Sequence, residues 1–145
     1  MITHMPTIVH FEIPADDIER ARKFYTDLFG WKIEKMHSST TNNNDSNLTS
    51  AATGEPIDYW VITTTDDKGN KATVGGGMMK RQMPEHHITN YIGVNSVDEY
   101  SSTVEELGGK VFASKHVVPG MGYFALCSDT ENNVFAIWES DENTK

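Results

Sequence analysis

The chain has 145 residues and a formal net charge of −9, a length typical of one domain with its own hydrophobic core. Acidic charge repels phosphate backbones and argues against a nucleic-acid partner. The single cysteine, Cys127, excludes an intramolecular disulfide and any metal site built from several cysteines.

Membrane and export signals are not evident in the sequence. No apolar run approaches the roughly 20 residues of a membrane-spanning helix, so we expect no membrane partner. The start, MITHMPTIVHFEI, lacks the basic segment and apolar core of a signal peptide. A cytoplasmic location is the resulting expectation.

The first elements predicted along the chain are a strand, a helix and a second strand. IVHFEI is typical of a strand, and PADD then interrupts it. From Ile18 to Phe29 apolar residues recur at helical spacing, with Asp16 or Asp17 as N-cap and Gly30 as terminator. WKIEKM, residues 31–36, alternates as a strand does.

The middle of the chain predicts a long loop followed by a hairpin. Residues 37–54 are rich in Ser, Thr and Asn and predict a flexible loop, either a lid or disordered. Residues 57–65 predict a strand, DDKGN a turn and residues 72–80 a return strand. Gly75, Gly76 and Gly77 indicate a bulge in that strand or a close approach by a ligand or backbone.

The remaining residues predict the same order of elements again. The predicted strands and helix are, in turn, a strand at 89–94, a helix at 97–107, a strand or bent pair at 110–113 and 117–118, a strand at 123–127 and a final strand at 134–139. DTENN is the turn before the final strand.

The two halves are copies of one pattern, 79 positions apart. The helix positions that coincide are Ile18 with Val97, Ala21 with Tyr100, Tyr25 with Val104, Leu28 with Leu107 and Gly30 with Gly109. The polar strand positions differ, because His10 falls on Thr89 and Glu12 on Tyr91. Each half therefore predicts a β-α-β-β-β module. We expect an α+β fold of two four-stranded sheets with helices outside, in one domain of residues 1–145 with modules at 6–82 and 86–140.

The quoted residues carry a family resemblance. HFEIPADDIERARKFYTDLFGWKIE resembles the opening of the vicinal oxygen chelate superfamily, which includes glyoxalase I, bleomycin-resistance proteins and extradiol dioxygenases. VEELGGKV and SDTENNVFAIWE are similar to the second-half phrases of that superfamily. The resemblance covers nearly the whole chain apart from the Asn-rich loop. It implies two βαβββ modules whose cupped sheets enclose a cavity, and it implies a homodimer.

The resemblance also implies where a metal would bind in metal-dependent members: one ligand on the first strand and one on the last strand of each module. His10 occupies the first-strand position and is the one predicted metal ligand. Its second-module counterpart is Thr89, and the last strand offers Ala136. Residues 73–79 contain no carboxylate, histidine or cysteine. A site of His10, Glu12 and His87 is a possible substitute, whereas the alternative leaves His86 and His87 as exposed loop histidines.

Glu12 shares a strand face with His10 and is the predicted catalytic group, should the protein be an enzyme. The predicted ligand-binding residues are His10, Glu12, Trp60, Gly76, Tyr91 and Trp138. For Trp60, simple core packing is an equal alternative.

Three functional hypotheses follow. The favoured one is a binding protein that holds a small apolar or aromatic ligand in the cupped sheet, with no tightly bound metal as cofactor. The alternative is a lyase or isomerase that depends on a divalent metal, for which His10 and the resemblance are the support. A third is an enzyme that uses Glu12 as a general base without a metal.

Overall fold

The computed structural model describes residues 6–36, 56–72 and 74–144. The loop predicted at 37–54 lies outside the described residues. The chain divides into two compact units: a first unit, His10–Ile88, and a second unit formed by Met1–Val9 with Thr89–Lys145.

The first unit is a β-α-β-β-β module. Its elements are β1 (Thr7–Ala15, of which residues 10–15 belong to this unit), α1 (Ile18–Phe29), β2 (Lys32–Lys35), β3 (Trp60–Thr63) and β4 (Gly75–Lys80). The strand order is β2-β3-β4-β1. β1 runs parallel to β4, while β3 is antiparallel to both β2 and β4.

Helix α1 has well-defined ends. The Asp17 side chain accepts a hydrogen bond from the backbone N–H of Arg20 at 3.0 Å, and Gly30 closes the helix with a left-handed φ of 73°. The Arg22 guanidinium donates to the carbonyl oxygen of Ile33 at 2.7 and 3.2 Å, which ties the helix to β2.

One face of this sheet packs against α1 and the other does not. The packed face has a core of Ile13, Ala15, Ile33, Ile62 and Met78, with Phe11, Ile18, Ala21, Tyr25, Trp31 and Trp60 against it. Because strand side chains alternate, His10 and Glu12 lie on the opposite face, which we call the helix-free face of the first unit.

The second unit repeats the module. Its elements are β5 (Thr89–Gly93), α2 (Val97–Glu106), β6 (Lys110–Val118), β7 (Gly122–Ser128) and β8 (Val134–Ser140). The strand order is β5-β8-β7-β6, with β5 parallel to β8. The bent pair predicted near residue 113 is a single strand, β6, whose register against β7 shifts on both sides of Ala113. Neither helix in the described part of the chain is long and apolar enough to cross a membrane.

The structure shows the repeat at the level of single residues. Asp17 and Ser96 lie 79 positions apart, and each is an N-cap that accepts from the backbone N–H three residues later. In the two parallel pairs, Glu12 lies opposite Gly77 and Tyr91 lies opposite Ala136. The predicted α+β class with two β-α-β-β-β modules is therefore confirmed.

The prediction of a bulge at the three glycines is wrong. β4 pairs with β1 from Gly75 to Lys80 in unbroken register, and Gly76 and Gly77 also pair with β3. Gly76 and Gly77 instead make room for the side chains of Phe11 and Tyr59.

Both modules close their last hairpin with the same turn. Asp66 accepts backbone hydrogen bonds from Lys68 and Asn70, and Asp129 accepts them from Glu131 and Asn133. The third residue after each aspartate, Gly69 or Asn132, has a left-handed backbone with φ of 82° or 67°. These hydrogen bonds lower the pKa of both carboxyl groups from the usual 3.8.

This turn predicts a pH-dependent effect on stability. Folding lowers the pKa of Asp129, so the ionised carboxylate adds to the free energy of unfolding. This contribution is fully present above pH 3.8, the ordinary pKa of an aspartate, and is lost as the pH falls through the lower folded-state pKa. We expect Asp129→Ala to lower the melting temperature clearly at pH 7, and the difference from the wild type to narrow toward about pH 3. Thermal unfolding of both proteins across this range measures the difference. Asp67→Ala, which removes a charge without removing a capping carboxylate, is the control. A difference that is the same at both ends of the range would contradict the prediction.

Candidate functional site

Three polar side chains meet on the helix-free face of the first unit. Glu12 on β1 is only 7% exposed. Tyr59, just before β3, places its hydroxyl oxygen 2.8 Å from His10 Nε2 and 2.9 Å from Glu12 Oε2. One phenol oxygen therefore bridges the two residues that sequence analysis selected for this site.

The hydrogen bonds in this group have a direction. A phenol has one proton, which Tyr59 donates to the Glu12 carboxylate, so His10 Nε2 must donate to the Tyr59 oxygen. Burial lowers the pKa of His10 from 6.5, and the nearby Glu12 charge opposes this shift only in part. A neutral imidazole with its proton on Nε2 fits this arrangement.

Gly77 is the residue that allows Tyr59 to reach its partners. A β-carbon built at Gly77 would lie 1.8 Å from the Tyr59 hydroxyl oxygen, far inside van der Waals contact. At Gly76 a β-carbon would lie 2.4 Å from the Phe11 ring, which belongs to the helix-packed face. The two adjacent glycines thus make room on opposite faces of the sheet: Gly77 for Tyr59 of the polar group, and Gly76 for Phe11 of the core.

His86 is the fourth member of the group. Its Nε2 lies 3.9 Å from Glu12 Oε1, and its side chain is only 15% exposed. The backbone N–H of Gln82 donates to His86 Nδ1 at 3.2 Å, so the neutral ring carries its proton on Nε2, toward Glu12. We call His10, Glu12, Tyr59 and His86 the polar quartet.

Arg81 fixes the segment that holds His86. Its guanidinium donates to the carbonyl oxygen of His86 and lies 2.9 Å from a carboxylate oxygen of Asp16. The backbone N–H of His86 donates to the carbonyl of Met83 at 2.9 Å, which closes a turn. The position of the His86 ring therefore depends on contacts made by residues outside the quartet.

The structure brings together some of the predicted site residues and separates others. His10 and Glu12 are together, whereas Trp60 packs against the core on the helix side and Gly76 lies beneath Phe11. His87 is exposed and precedes β5, which begins at Thr89, and His86 lies near Glu12.

Sequence analysis missed Tyr59 as a site residue. Its position one residue before Trp60 predicts the opposite strand face, which is the face of His10 and Glu12 once the strand order is known. The available signal was therefore the alternation within IDYWVITTT combined with the family topology.

Aromatic residues occupy the helix-free face of the second unit. Tyr91 is buried, with its ring centroid 5.9 Å from that of Phe124, and the His116 ring lies 5.0 Å from Phe124. Trp138 shares this face with Ala136, because Phe135 and Ile137, on either side of Ala136, pack with the core on the α2 side. Tyr91 and Trp138, two of the predicted ligand-binding residues, thus share one face of this unit.

Two other candidate groups have structural roles. Glu139 accepts a hydrogen bond from the backbone N–H of Val97 at 2.9 Å, at the start of α2. Cys127 is fully buried in the core of the second unit, and burial raises the pKa of its thiol to about 11. At neutral pH it is a thiol rather than a nucleophilic thiolate.

The residues present do not fit the metal centre that the resemblance implies. Within residues 6–36, 56–72 and 74–144, no three His, Cys, Asp or Glu side chains are grouped so that they could hold a metal ion. The strand register places Gly77 opposite Glu12 and Ala136 opposite Tyr91, so neither last strand offers a ligand there. The remaining expected position is the hydroxyl of Thr89, and His10 is the one strong ligand of the four. We therefore derive no chemical step through a metal.

Comparison with known proteins agrees with the fold and the motifs. Residues 7–40 match the family described as bleomycin resistance protein-like, N-terminal. A glyoxylase-like domain-containing protein of Didymella fabae is 31% identical over 131 residues, which cover 87% of this chain and 88% of that protein. The chain belongs to the glyoxalase-like family of the vicinal oxygen chelate superfamily.

Two further similarities place the chain among its relatives. The anthracycline biosynthesis protein DauV of Streptomyces sp. (strain C5) is 28% identical over 133 residues, covering 88% of this chain but 45% of DauV. The chain thus spans a little under half the length of that relative. A glyoxalase/bleomycin resistance protein/dioxygenase superfamily member from Vibrio splendidus 12B01 shares the fold, with a TM-score of 0.55, 11% identity, and coverage of 94% of this chain and 100% of that one.

The residues at the expected ligand positions predict how much metal the purified protein carries. We expect protein purified without chelators to carry no stoichiometric nickel, zinc or manganese, because His10 alone supplies a strong ligand at the expected positions. Elemental analysis before and after addition of each ion, followed by gel filtration, measures this. One equivalent that survives gel filtration and is lost in His10→Ala would show that a metal centre exists.

The His10 environment predicts a measurable pKa. We expect the His10 imidazole to titrate below 6.5, because burial disfavours its charged form. NMR titration of the six histidines, with His10 assigned by its disappearance in His10→Ala, measures this value. Glu12→Gln should lower the pKa of His10 further, because the carboxylate favours the imidazolium. A value at or above 6.5 would contradict the burial of this ring.

Proposed function

We propose that this protein binds a small hydroxylated aromatic molecule on the helix-free face of its first unit, without a tightly bound metal. In this proposal it is a binding or sequestration protein of the bleomycin-resistance kind. Glu12 and His86 recognise a hydroxyl group of the ligand, and Tyr59 and His10 hold Glu12 in place.

The observation that carries this proposal is the buried carboxylate of Glu12, which lies on the sheet face opposite the one that packs against α1. Burying a carboxylate is costly unless hydrogen-bond donors compensate it. Tyr59 donates to Oε2 at 2.9 Å, and His86 Nε2 lies 3.9 Å from Oε1. A carboxylate can accept several hydrogen bonds, so a ligand hydroxyl that reaches Glu12 could donate to it as well.

The aromatic character of the ligand is supported by the relatives. DauV, and DnrV of Streptomyces peucetius at 27% identity, are named for anthracycline biosynthesis. Anthracyclines are fused-ring aromatics with several hydroxyl groups, which is the ligand chemistry that Glu12 and His86 suit.

A second candidate function is favoured by the direction of the hydrogen bonds. Glu12 lies at the accepting end of the His10–Tyr59–Glu12 chain, so it could also take a proton from a bound hydroxyl or an adjacent carbon. In that case Glu12 would be a general base, as the sequence suggested. The metal-dependent lyase or isomerase has less support, since among the expected ligand positions only His10 favours it.

Binding of a hydroxylated aromatic compound tests the proposal directly. Quenching of tryptophan fluorescence by 1,8-dihydroxyanthraquinone should saturate in the wild type. We expect Glu12→Gln to weaken binding at least tenfold, about 1.4 kcal/mol, because a charge-assisted hydrogen bond to the ligand is replaced by a neutral one. Anthraquinone without hydroxyl groups should bind weakly to both proteins.

Glu34→Gln is the matched control for this experiment. Glu34 lies on β2 and faces the same side as Glu12, because its neighbour Ile33 is in the core, but its side chain is exposed. We expect Glu34→Gln to bind as the wild type does. Equal affinity of the wild type and Glu12→Gln, or no saturable quenching by any hydroxylated ring system, would contradict the proposed function.

A further inference from the structure

We propose that the Tyr59 hydroxyl takes the place of a divalent cation between His10 and Glu12, and that Gly77 is the residue that permits this replacement. The inference concerns the same face as the proposed function, but it does not depend on any organic ligand being bound. It makes Tyr59 the residue that keeps a pair of metal-binding side chains from binding a metal.

The first argument is the geometry of the pair. An imidazole nitrogen and a carboxylate oxygen are both ligands that zinc, nickel and cobalt accept. His10 Nε2 and Glu12 Oε2 lie within 2.8 and 2.9 Å of one oxygen atom, the Tyr59 hydroxyl. The two ligand atoms thus converge on one point, as they do around a cation, but a phenol occupies that point.

The second argument is the chemistry of the replacement. A zinc ion needs ligand atoms at about 2.0–2.2 Å, whereas these distances are those of hydrogen bonds. The phenol proton satisfies the carboxylate, and the phenol oxygen accepts from the imidazole. Tyr59 therefore bridges His10 and Glu12 as a cation would in a metal site, but it adds no positive charge.

The third argument is steric and concerns the last strand of the module. Gly77 is paired with Glu12 as Ala136 is paired with Tyr91, and the last strand is where a second ligand would come from. A β-carbon at Gly77 would lie 1.8 Å from the Tyr59 oxygen and 2.2 Å from the ring carbon that bears it. A side chain at position 77 and the Tyr59 ring in its present place therefore exclude each other.

Two different substitutions should expose the same pair of ligands. Tyr59→Ala removes the ring, so that a hydrated cation can reach His10 and Glu12. Gly77→Ala keeps the tyrosine but forces its ring away from the strand. Gly75→Ala is the matched control, because a β-carbon there meets only the carbonyl oxygen of Ile62, at 3.4 Å.

The experiment is a calorimetric titration of each protein with Zn²⁺ alone, supported by the visible absorption of Co²⁺. We expect Tyr59→Ala to bind Zn²⁺ at least tenfold more tightly than the wild type, and Gly77→Ala to change in the same direction. The gain should be absent from Gly75→Ala and should disappear in Tyr59→Ala/His10→Ala. Circular dichroism and melting temperatures establish that each variant is folded.

Several outcomes would overturn the inference. These are tight Zn²⁺ binding by the wild type, no gain in a folded Tyr59→Ala, and a gain that survives the removal of His10. If Tyr59→Ala does not fold, Gly77→Ala decides the question by itself, because it retains every side chain of the quartet. Failure of the zinc experiment leaves anthraquinone binding by the wild type unaffected, so the two proposals are tested separately.

Discussion

The site depends on one constraint: a carboxylate that is buried on an open sheet face must be hydrogen-bonded. Glu12 meets this constraint through Tyr59, and Tyr59 reaches it only because residue 77 has no side chain. The cost of glycine in a strand is small beside the cost of leaving a buried carboxylate without a donor. Gly77 therefore determines the position of Tyr59 although it has no side chain of its own.

The duplicated module separates what holds the fold from what determines the site. The helix caps at Asp17 and Ser96, the parallel first and last strands and the aspartate turns recur in both halves, and all of them satisfy backbone groups. The helix-free faces differ, because Glu12 in one module corresponds to Tyr91 in the other. One copy of the module thus offers hydrogen-bond acceptors and the other offers aromatic surface, on the same arrangement of strands.

The fold could be predicted because its signals are local. Apolar spacing, cap residues and turn residues lie within a few positions of one another, and both helices begin where the caps indicate. Half of the polar quartet could be predicted as well, because His10 and Glu12 are two positions apart on one strand and therefore share a face. Tyr59 was missed although alternation with Trp60 places it on this face, because its partners are 47 and 49 residues away and its approach depends on a glycine in another strand. His86 lies in a loop, but its side chain is largely buried rather than exposed. Arg81, Gln82 and a short turn fix its ring, and none of these contacts follows a periodic pattern.

Membership of the superfamily fixes positions on the scaffold, whereas the residues at those positions determine the chemistry. A last-strand carboxylate would bring charge and a ligand atom to the point that Tyr59 now fills, and its β-carbon alone would displace the phenol. A metal ion with a last-strand ligand and the Tyr59 phenol would therefore occupy the same place, and they differ in charge. With a cation, His10 and Glu12 would be used up as ligands and the centre would favour anionic groups. With a phenol, His10 and Glu12 are joined by hydrogen bonds and no positive charge is added. The choice between glycine and a ligating side chain at position 77 therefore decides whether Tyr59 can occupy this point.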